Sequence, residues 1–352
     1  MTAQPLFEVT RGQITESVHY GSIAVVDSKG NLIASYGDPQ TVAFLRSSAK
    51  PFQVLPFVER GGVEYFKFTP RELALSCASH EGSDMHVQAV LALQEKIGIE
   101  ESNLQCGSHL PGDVDELKKL IVHDQHPRTN HNNCSGKHTA MLAHAKMRGL
   151  PIENYLDINH PIQRDILASL SEMCMFPVDQ IELGIDGCSA PNFAVPLYNS
   201  AYGFARFCDP RDLSEIRASA CRKITSAMSS YPEMVSGYGE FDEQLMKAAE
   251  GKIACKRGAE GYQIVGILSG VLTPDSPGIG ISLKVSDGDA SRMGEHLEST
   301  NRVRPAVVIE ILRQLGVLSS KMEQALAAFG PEKSITNHRG LVTGKSRPIF
   351  RL

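Results

Sequence analysis

The sequence predicts an α+β fold in which one antiparallel sheet contains strands from both ends of the chain. β-rich runs bounded by turns lie in the first 36 residues and in the last third, whereas helical patterns fill the middle. Separate runs of strands and helices are typical of α+β proteins, while alternating βαβ units would predict a parallel sheet. We therefore expect the N-terminal hairpin to pair with the C-terminal strands, with helices covering the faces of the sheet.

Turn and capping residues mark the first elements. Runs rich in β-branched residues at 22–27 and 32–36 flank a turn at 28–31, which predicts a β-hairpin. Thr69 is followed directly by Pro70, and Glu72 lies three residues after Thr69. This order is a capping box with proline at the first helical position, and it predicts a helix that runs through about residue 78.

Helical periodicity then dominates until the strands return. The predicted helices of the middle region cover 83–97, 113–123, 137–148, 161–175, 210–229 and 240–250. A short buried strand is expected at 181–185. The predicted elements of the last third are strands at 252–256, 262–268, 278–285 and 341–351, and helices at 289–315 and 320–328. No repeat or linker interrupts the chain, so we expect a single domain over 1–352 with a central helical lobe.

Composition excludes several classes of function. The 352 residues are 42% hydrophobic and 21% charged, with a formal net charge of -5. These values are ordinary for a globular protein and argue against nucleic-acid binding or attachment to a membrane surface. Tryptophan is absent and other aromatic residues are few, which argues against a platform for stacking bases. No apolar run has the length of a signal peptide or a membrane span, so we expect a soluble, cytoplasmic protein.

Cysteine usage points to a reducing compartment. Eight cysteines are scattered along the chain without close pairs. In a reducing cytosol such residues are mostly free thiols, and a few of them can bind a metal.

The segment RSSAKPFQ at 46–53 contains the first candidate catalytic pair. Ser47 and Lys50 are three residues apart, so they share one face of a helix that starts there. A neutral lysine next to a serine can act as its general base. The alternative is that Ser47 or Ser48 caps the helix and that Lys50 is a solvated side chain.

Two further motifs offer partners for this pair. SHEG at 79–82 places Ser79 at the end of a helix, either as a second hydroxyl of a pocket or as a turn residue. KRGAEG at 256–261 starts with Lys256, which is either an exposed strand lysine or a cation that acts on Lys50 or Ser79.

Two cysteine-containing motifs suggest a metal site. NNCSGKH at 132–138 and GIDGCSAPN at 184–192 are both rich in polar residues. Their spacing favours zinc bound by Cys134, His138 and Cys188, with Asp186 as a further candidate ligand. The alternative is that the cysteines are buried as small apolar residues. Asp186 could also hold an α-ammonium group, or belong to an Asp-Gly turn.

In this order, the five motifs resemble those of the rhizobial-type (class 3) L-asparaginases, the asparaginase II family. The resemblance extends over essentially the whole chain. It implies hydrolysis of L-asparagine to L-aspartate and ammonia, a fold like that of serine β-lactamases and serine-dependent glutaminases, and a homodimer. It also implies a zinc site, so the expected cofactor is zinc and the expected partner is the small-molecule substrate.

The resemblance assigns roles to residues of this chain. It implies two Ser-Lys pairs, Ser47 with Lys50 and Ser79 with Lys256, in which Ser47 is acylated and Ser48 is a neighbour. The implied zinc ligands are Cys134, Lys137 and Cys188, with solvent completing the shell. This set replaces the His138 of the spacing argument by a lysine, which binds zinc only when neutral. Arg46, His138 and Asp186 are then expected to be substrate-binding residues.

Two other functional classes compete with this interpretation. A penicillin-recognising serine hydrolase would share the Ser-x-x-Lys motif, but it normally carries Lys-Thr-Gly on a strand, and that tripeptide is absent. A non-catalytic zinc-binding protein would explain the thiols and would leave the serine-lysine motifs without a role.

Overall fold

The computed structural model describes residues 2–289 and 302–352. The strands in these residues are β1 (Gln4–Arg11), β2 (Ile14–Asp27), β3 (Leu32–Tyr36), β4 (Val42–Phe44), β5 (Glu182–Ile185), β6 (Pro191–Pro196), β7 (Ile253–Arg257), β8 (Tyr262–Ile267), β9 (Ile279–Val285), β10 (Lys333–Thr336) and β11 (Val342–Pro348). The α-helices are α1 (Lys50–Glu59), α2 (Gly62–Tyr65), α3 (Pro70–Ser76), α4 (Asp84–Ile97), α5 (Val114–Val122), α6 (Ser135–Met147), α7 (Pro161–Cys174), α8 (Leu197–Cys208), α9 (Glu215–Ser230), α10 (Pro232–Val235), α11 (Phe241–Ala248), α12 (Val303–Gln314) and α13 (Ser320–Leu326).

The main sheet confirms the predicted pairing of the two ends of the chain. Its order is β10-β11-β1-β2-β9-β8-β7, with β3 also paired to β2, and the pairs are antiparallel. The long strand β2 makes this possible. Its first part pairs with β1, and its buried second part lies between β3 and β9. The α+β fold class is therefore confirmed.

Helix α8 packs closely on the main sheet, where it contacts β2, β8 and β9. Gly280 of β9 makes this approach possible, because a Cβ there would lie 1.8 Å from the carbonyl oxygen of Ala201. The sequence analysis did not predict α8. Its apolar residues follow a buried strand, β6, without an intervening turn, so the two elements read as one apolar run.

A second, three-stranded sheet has the order β4-β6-β5. Its central strand β6 is fully buried, whereas β5 at the edge is mostly exposed. The prediction of a strand at 181–185 is confirmed in position, but its expected burial is wrong, because β6 occupies the interior place. This sheet brings Phe44, just before the first motif, next to Ala194, just after the fourth.

Most predicted helices are present, with informative differences at their ends. The capping box at Thr69 is formed in both directions, with the Glu72 N–H donating to Thr69 Oγ1 at 3.3 Å. The helix predicted over 210–229 is divided, because Ser214 caps α9. Of the helix predicted over 289–315, α12 is confirmed, and residues 290–301 lie outside the described part of the chain. Within the described residues, no helix has the length and apolar character needed to cross a membrane.

Candidate active site

All five motifs meet at the N-terminal end of α1. Arg46 reaches the fourth motif, since its Nε donates to Asp186 Oδ1 at 2.6 Å. Lys50 reaches the second and third motifs, and Ser48 Oγ donates to the carbonyl oxygen of Lys256 at 2.7 Å. The site thus joins segments that are more than 200 residues apart in sequence.

A short 3₁₀ turn, Arg46–Ala49, leads into α1 and sets the directions of its polar side chains. Arg46 has a φ of +52°, a left-handed conformation that is uncommon for a residue other than glycine. Its N–H donates to Asn192 Oδ1 at 3.1 Å, which fixes the turn against β6. Ser48 and Lys50 are fully buried, whereas Ser47 is partly exposed. Ser47 is therefore the serine of this turn that a substrate can reach.

Lys50 lies in a buried pocket of oxygen atoms. Its Nζ contacts Ser79 Oγ at 2.8 Å, the carbonyl oxygen of Asn133 at 3.3 Å and the carbonyl oxygen of Ala78. Burial lowers the pKa of Lys50 below its ordinary value. A neutral amine satisfies these contacts by donating its two N–H groups to the carbonyls and accepting the Ser79 proton. The structure thus pairs Lys50 with Ser79, and no hydrogen bond joins Lys50 to the Ser47 side chain in the described residues.

Ser79 follows the end of α3 and is itself buried. Its N–H donates to the carbonyl oxygen of Val235 at 2.8 Å, which anchors the second motif to α10. His80, the next residue, accepts the Gly82 N–H on Nδ1 at 3.0 Å. Its proton is therefore on Nε2, which lies 2.9 Å from Ser135 Oγ. Both ring nitrogens of His80 are engaged, so this histidine holds the loop in place.

Lys256 lies on β7 and is fully buried. Its Nζ donates to the carbonyl oxygen of Arg257 at 3.0 Å. Burial lowers the pKa of Lys256 to about 7, and the positive charge of Lys50 acts in the same direction. Gly258 allows β7 to approach the 3₁₀ turn, because a Cβ there would lie 2.6 Å from the carbonyl oxygen of Leu45. No hydrogen bond joins Lys256 to Ser79 among the described residues.

A cluster of thiols lies beside this serine-lysine group. The ligand atoms of Cys134, Asp186 and Cys188 are all within 4.8 Å of one another. Lys137 Nζ donates to Cys188 Sγ at 3.0 Å, and Cys188 Sγ lies 3.5 Å from Asp186 Oδ2. Among the residues that the structure describes, this is the group with the donors and spacing of a metal site. Two buried thiols, a carboxylate and an amine are a donor set that fits zinc.

Charge in the thiol cluster is unevenly distributed: the hydrogen bond with Cys134 and burial raise the pKa of Cys188, so this thiol keeps its proton at neutral pH. A hydrogen bond with Cys188 lowers the pKa of Cys134 well below its ordinary value, even though burial raises it. Burial lowers the pKa of Lys137, but the adjacent thiols and Asp186 more than offset this, so the pKa is raised. Lys137 is therefore a cation, and it must lose a proton before it can act as a metal ligand.

His138 is adjacent to the cluster but is held by another residue. Its Nδ1 lies 2.7 Å from the Tyr155 hydroxyl, which in turn accepts the Gln105 N–H at 2.9 Å. Burial lowers the pKa of His138 to about 4, so the imidazole is neutral. His138 Nε2 is buried, and the ring lies close enough to Cys188 that each residue acts on the pKa of the other. His138 is therefore a buried neighbour of the cluster, and it is not among the candidate ligands.

Asp186 and Arg46 form an ion pair at the mouth of the site. Their side chains are 11% and 26% exposed, so both reach solvent. Burial alone would raise the pKa of Asp186. The positive charges of Lys137 and Arg46 outweigh this effect and lower the pKa below its ordinary value, so the carboxylate is ionised. The next loop contains Ser189 with a φ of +67°, a second left-handed residue other than glycine. Strained backbone of this kind on both sides of a pocket is typical of functional sites.

Three positioning residues were not identified from the sequence. Asn133, Asn192 and Tyr155 contact Lys50, Arg46 and His138, respectively. Asn133 and Asn192 lie inside the quoted motifs, but their spacing gives no indication of their partners. Tyr155 lies in a loop without any motif, so no sequence signal could have identified it.

A model of the family described as L-asparaginase II matches residues 7–348. No individual curated protein matches the chain significantly. Similar solved structures include a probable glutaminase from Bacillus subtilis complexed with 6-diazo-5-oxo-L-norleucine, at 12% identity and a TM-score of 0.39, covering 84% of both chains. Mglu in its native form has 13% identity and a TM-score of 0.43, covering 85% of this chain and 65% of that one. This chain thus spans slightly less than two thirds of Mglu.

Proposed function

This chain belongs to the L-asparaginase II family, and we propose that it is an amidohydrolase that hydrolyses L-asparagine to L-aspartate and ammonia through an acyl-enzyme. The observation that carries the mechanism is the buried contact of Lys50 Nζ with Ser79 Oγ at 2.8 Å, one helical turn from the half-buried Ser47. This arrangement combines a lysine of lowered pKa with two hydroxyl groups.

The first half of the reaction forms an ester. Ser47 Oγ attacks the side-chain amide carbon of asparagine while its proton passes to neutral Lys50, either directly or through Ser79 Oγ. The tetrahedral intermediate collapses, and the amide nitrogen leaves as ammonia with the proton that Lys50 held. Water then attacks the ester while Lys50 accepts its proton, the acyl C–O bond to Ser47 breaks as Lys50 returns that proton to Ser47 Oγ, and aspartate is released.

The developing oxyanion needs hydrogen-bond donors. The Ser47 N–H donates to no acceptor within the described ranges, whereas the Arg46 and Ser48 N–H groups are occupied by Asn192 and Leu45. The Ser47 amide is thus available to stabilise the oxyanion, and one such donor contributes about 10²–10³-fold to kcat.

Arg46, Asp186 and His138 are proposed to bind the amino-acid end of the substrate. The Arg46–Asp186 pair presents both charges at the mouth of the pocket, as an α-carboxylate and an α-ammonium group require. His138 contributes its buried Nε2 in the interior. Asparagine and glutamine differ by one methylene, so packing alone separates them by about 1–3 kcal/mol.

Zinc is the proposed cofactor. Cys134, Lys137 and Cys188 would hold it, and Asp186 lies close enough to the thiols to join them. When bound, zinc supplies a positive charge that polarises or fixes a polar group of the substrate. In the metal-free protein, Lys137 provides the positive charge beside the two sulfur atoms.

Ammonia release tests the proposed activity. The purified protein is assayed with L-asparagine and L-glutamine, after treatment with a chelator and again with added zinc. We expect asparagine to be the better substrate and zinc to improve its turnover or affinity. Release from neither amide would overturn the proposed function, and equal activity with and without zinc would remove the metal from it.

The oligomeric state is a separate proposal. The resemblance of the five motifs implies a homodimer, and light scattering of the purified chain at micromolar concentration measures the mass directly. A mass near the 38.3 kDa of one chain would contradict it.

A further inference from the structure

Arg257 occupies a position that the proposed reaction does not yet use. It follows Lys256 at the end of β7, and its side chain is 21% exposed. Its two terminal nitrogens bind different carboxylates: Nη1 contacts Glu240 and Nη2 contacts Glu81. Such a planar fork fixes the relative positions of two groups, whereas a lysine is a flexible point charge without this geometry.

The two carboxylates belong to separate parts of the site. Glu81 is two residues after Ser79, in the loop that also holds His80. Glu240 is the residue directly before α11, and it follows the segment whose Val235 carbonyl accepts the Ser79 N–H. Asp242, two residues after Glu240, accepts the backbone N–H of Arg257 at 2.6 Å. Arg257 therefore joins the loop of Ser79, the start of α11 and the strand of Lys256.

We propose that Arg257 is a positioning residue for the proposed hydrolysis: it holds the loop of Ser79 against the strand of Lys256. The inference rests on the proposed function for its catalytic part. A second, electrostatic consequence concerns only the charges around Lys256, because the guanidinium belongs to the residue next to it and opposes a proton on its amine.

The surroundings of Lys256 make its charge sensitive to Arg257. The charged and titratable groups that act on it are Lys50 of α1, Cys77 at the end of α3, Asp242 of α11, the neighbours Cys255 and Arg257 on its own strand, and Arg304 of α12. Arg257 and Arg304, together with Lys50 when it is protonated, oppose a proton on Lys256, whereas Asp242 favours it. Removing Arg257 therefore shifts the balance towards protonated Lys256.

Arg257→Met and Arg257→Lys separate the fork from the charge. We expect Arg257→Met to lower kcat about 10–100-fold through misplacement of Ser79 and Lys256. It should also raise the titration midpoint of Lys256 by about one pH unit, because a cation is lost. Arg257→Lys keeps the charge but loses the planar fork, so it should lower kcat and leave the midpoint near its original value. The control is Arg222→Met, which removes an exposed ion pair with Glu215. It should change neither kcat nor the titration midpoint of Lys256.

The midpoint is measured without any enzyme assay. Lysine labelled with ¹³C at the ε position is incorporated into the full chain, the Lys256 signal is assigned by its loss in Lys256→Met, and its shift is followed against pH. The acid limb of kcat/KM against pH is recorded for the same variants. Thermal unfolding reports the stability of each.

A purely structural Arg257 would lower the unfolding temperature and leave the Lys256 midpoint unchanged in Arg257→Met, which would overturn the proposal. A lower midpoint would overturn it as well. If Arg257→Met does not fold, Glu240→Gln removes a counter-charge at a partly exposed position, and the midpoint should then fall. An unchanged Lys256 midpoint in Glu240→Gln would also overturn the proposal. Absence of ammonia release by the wild-type protein would refute the proposed function, while the ¹³C titration would still test the charge of Arg257.

Discussion

Three lysines of the site are buried to a similar degree but differ in charge. Lys50 and Lys256 are 0% exposed and Lys137 is 3% exposed. Lys50 and Lys256 contact carbonyl and hydroxyl oxygens, and burial lowers the pKa of both. Lys137 donates to a thiol beside a second thiol and a carboxylate, which raise its pKa despite burial. Burial alone therefore does not decide the state of a lysine, because the adjacent charges do.

This difference divides the site into two halves. The serine half provides a proton acceptor at neutral pH, and the thiol half provides positive charge, from Lys137 or from a metal. Lys50 connects the two halves, because two residues of the thiol half act on its pKa. Cys134 raises the pKa of Lys50, and Lys137 lowers it. Substitutions in the two halves should therefore have different consequences, and the following experiments test that expectation.

The largest effect is expected at the nucleophile. Ser47→Ala should lower kcat by about 10⁴-fold or more because no ester can form, whereas Ser79→Ala should cost about 10²–10³-fold through a lost relay. Incubation with 5-diazo-4-oxo-L-norvaline, a reactive analogue of asparagine, followed by peptide mass spectrometry, identifies the labelled serine. Labelling of Ser79 in the unmodified protein would reverse the assignment, in keeping with the Lys50–Ser79 contact at 2.8 Å.

A slightly smaller effect is expected for the base. Lys50→Met keeps the volume and the burial but cannot accept a proton, so kcat should fall by about 10³-fold. Ammonia release at saturating asparagine measures it. The matched control is Lys252→Met, at an exposed lysine just before β7, which should retain full activity. Substantial activity in Lys50→Met would mean that another group is the base.

In the thiol half, the effect should fall on metal binding. Cys188→Ser should weaken zinc affinity by about 100-fold or more, because a hydroxyl is a poor replacement for a thiolate. Elemental analysis after dialysis against a weak chelator measures retained zinc. Cys221→Ala, at a buried thiol of α9 outside the site, should retain the metal. Equal zinc in both variants would exclude Cys188 as a ligand.

The sequence predicted the sheet and the composition of the site better than its contacts. Period-two runs and turn residues are local signals, so the pairing of the two chain ends could be expected from where the strands cluster. The contact of Lys50 with Ser79 depends on how α1 meets the end of α3, which no local pattern encodes. Asp186 illustrates the same limit, because its place among the thiols and beside Arg46 follows from the positions of β5 and β6.

The smallest effects concern stability, and there the two halves should differ in sign. The pKa of Lys256 is lowered to about 7 in the folded protein, from 10.5. Between these values the unfolded chain binds more protons, so stability rises with pH in that window. The penalty of burying Lys256 is thus full below about pH 7 and disappears near pH 10.5. Lys256→Met should stabilise the protein by about 1–2 kcal/mol at pH 7, with the gain vanishing at high pH.

Lys137→Met should instead destabilise the chelator-treated protein. Its folded pKa is raised, so its charge stabilises the fold at every pH below its ordinary value of 10.5 and is lost only above the folded pKa. Removing it leaves the negative charge of Cys134 and Asp186 without a buried cation, which should cost about 2–4 kcal/mol across the neutral range. Urea unfolding at pH 6.5, 8 and 9.5 measures the free energy of unfolding of Lys256→Met and of Lys137→Met against the unmodified protein. If both substitutions change stability in the same direction at pH 6.5, the neighbours of the two lysines do not set their charges in the way the contacts indicate.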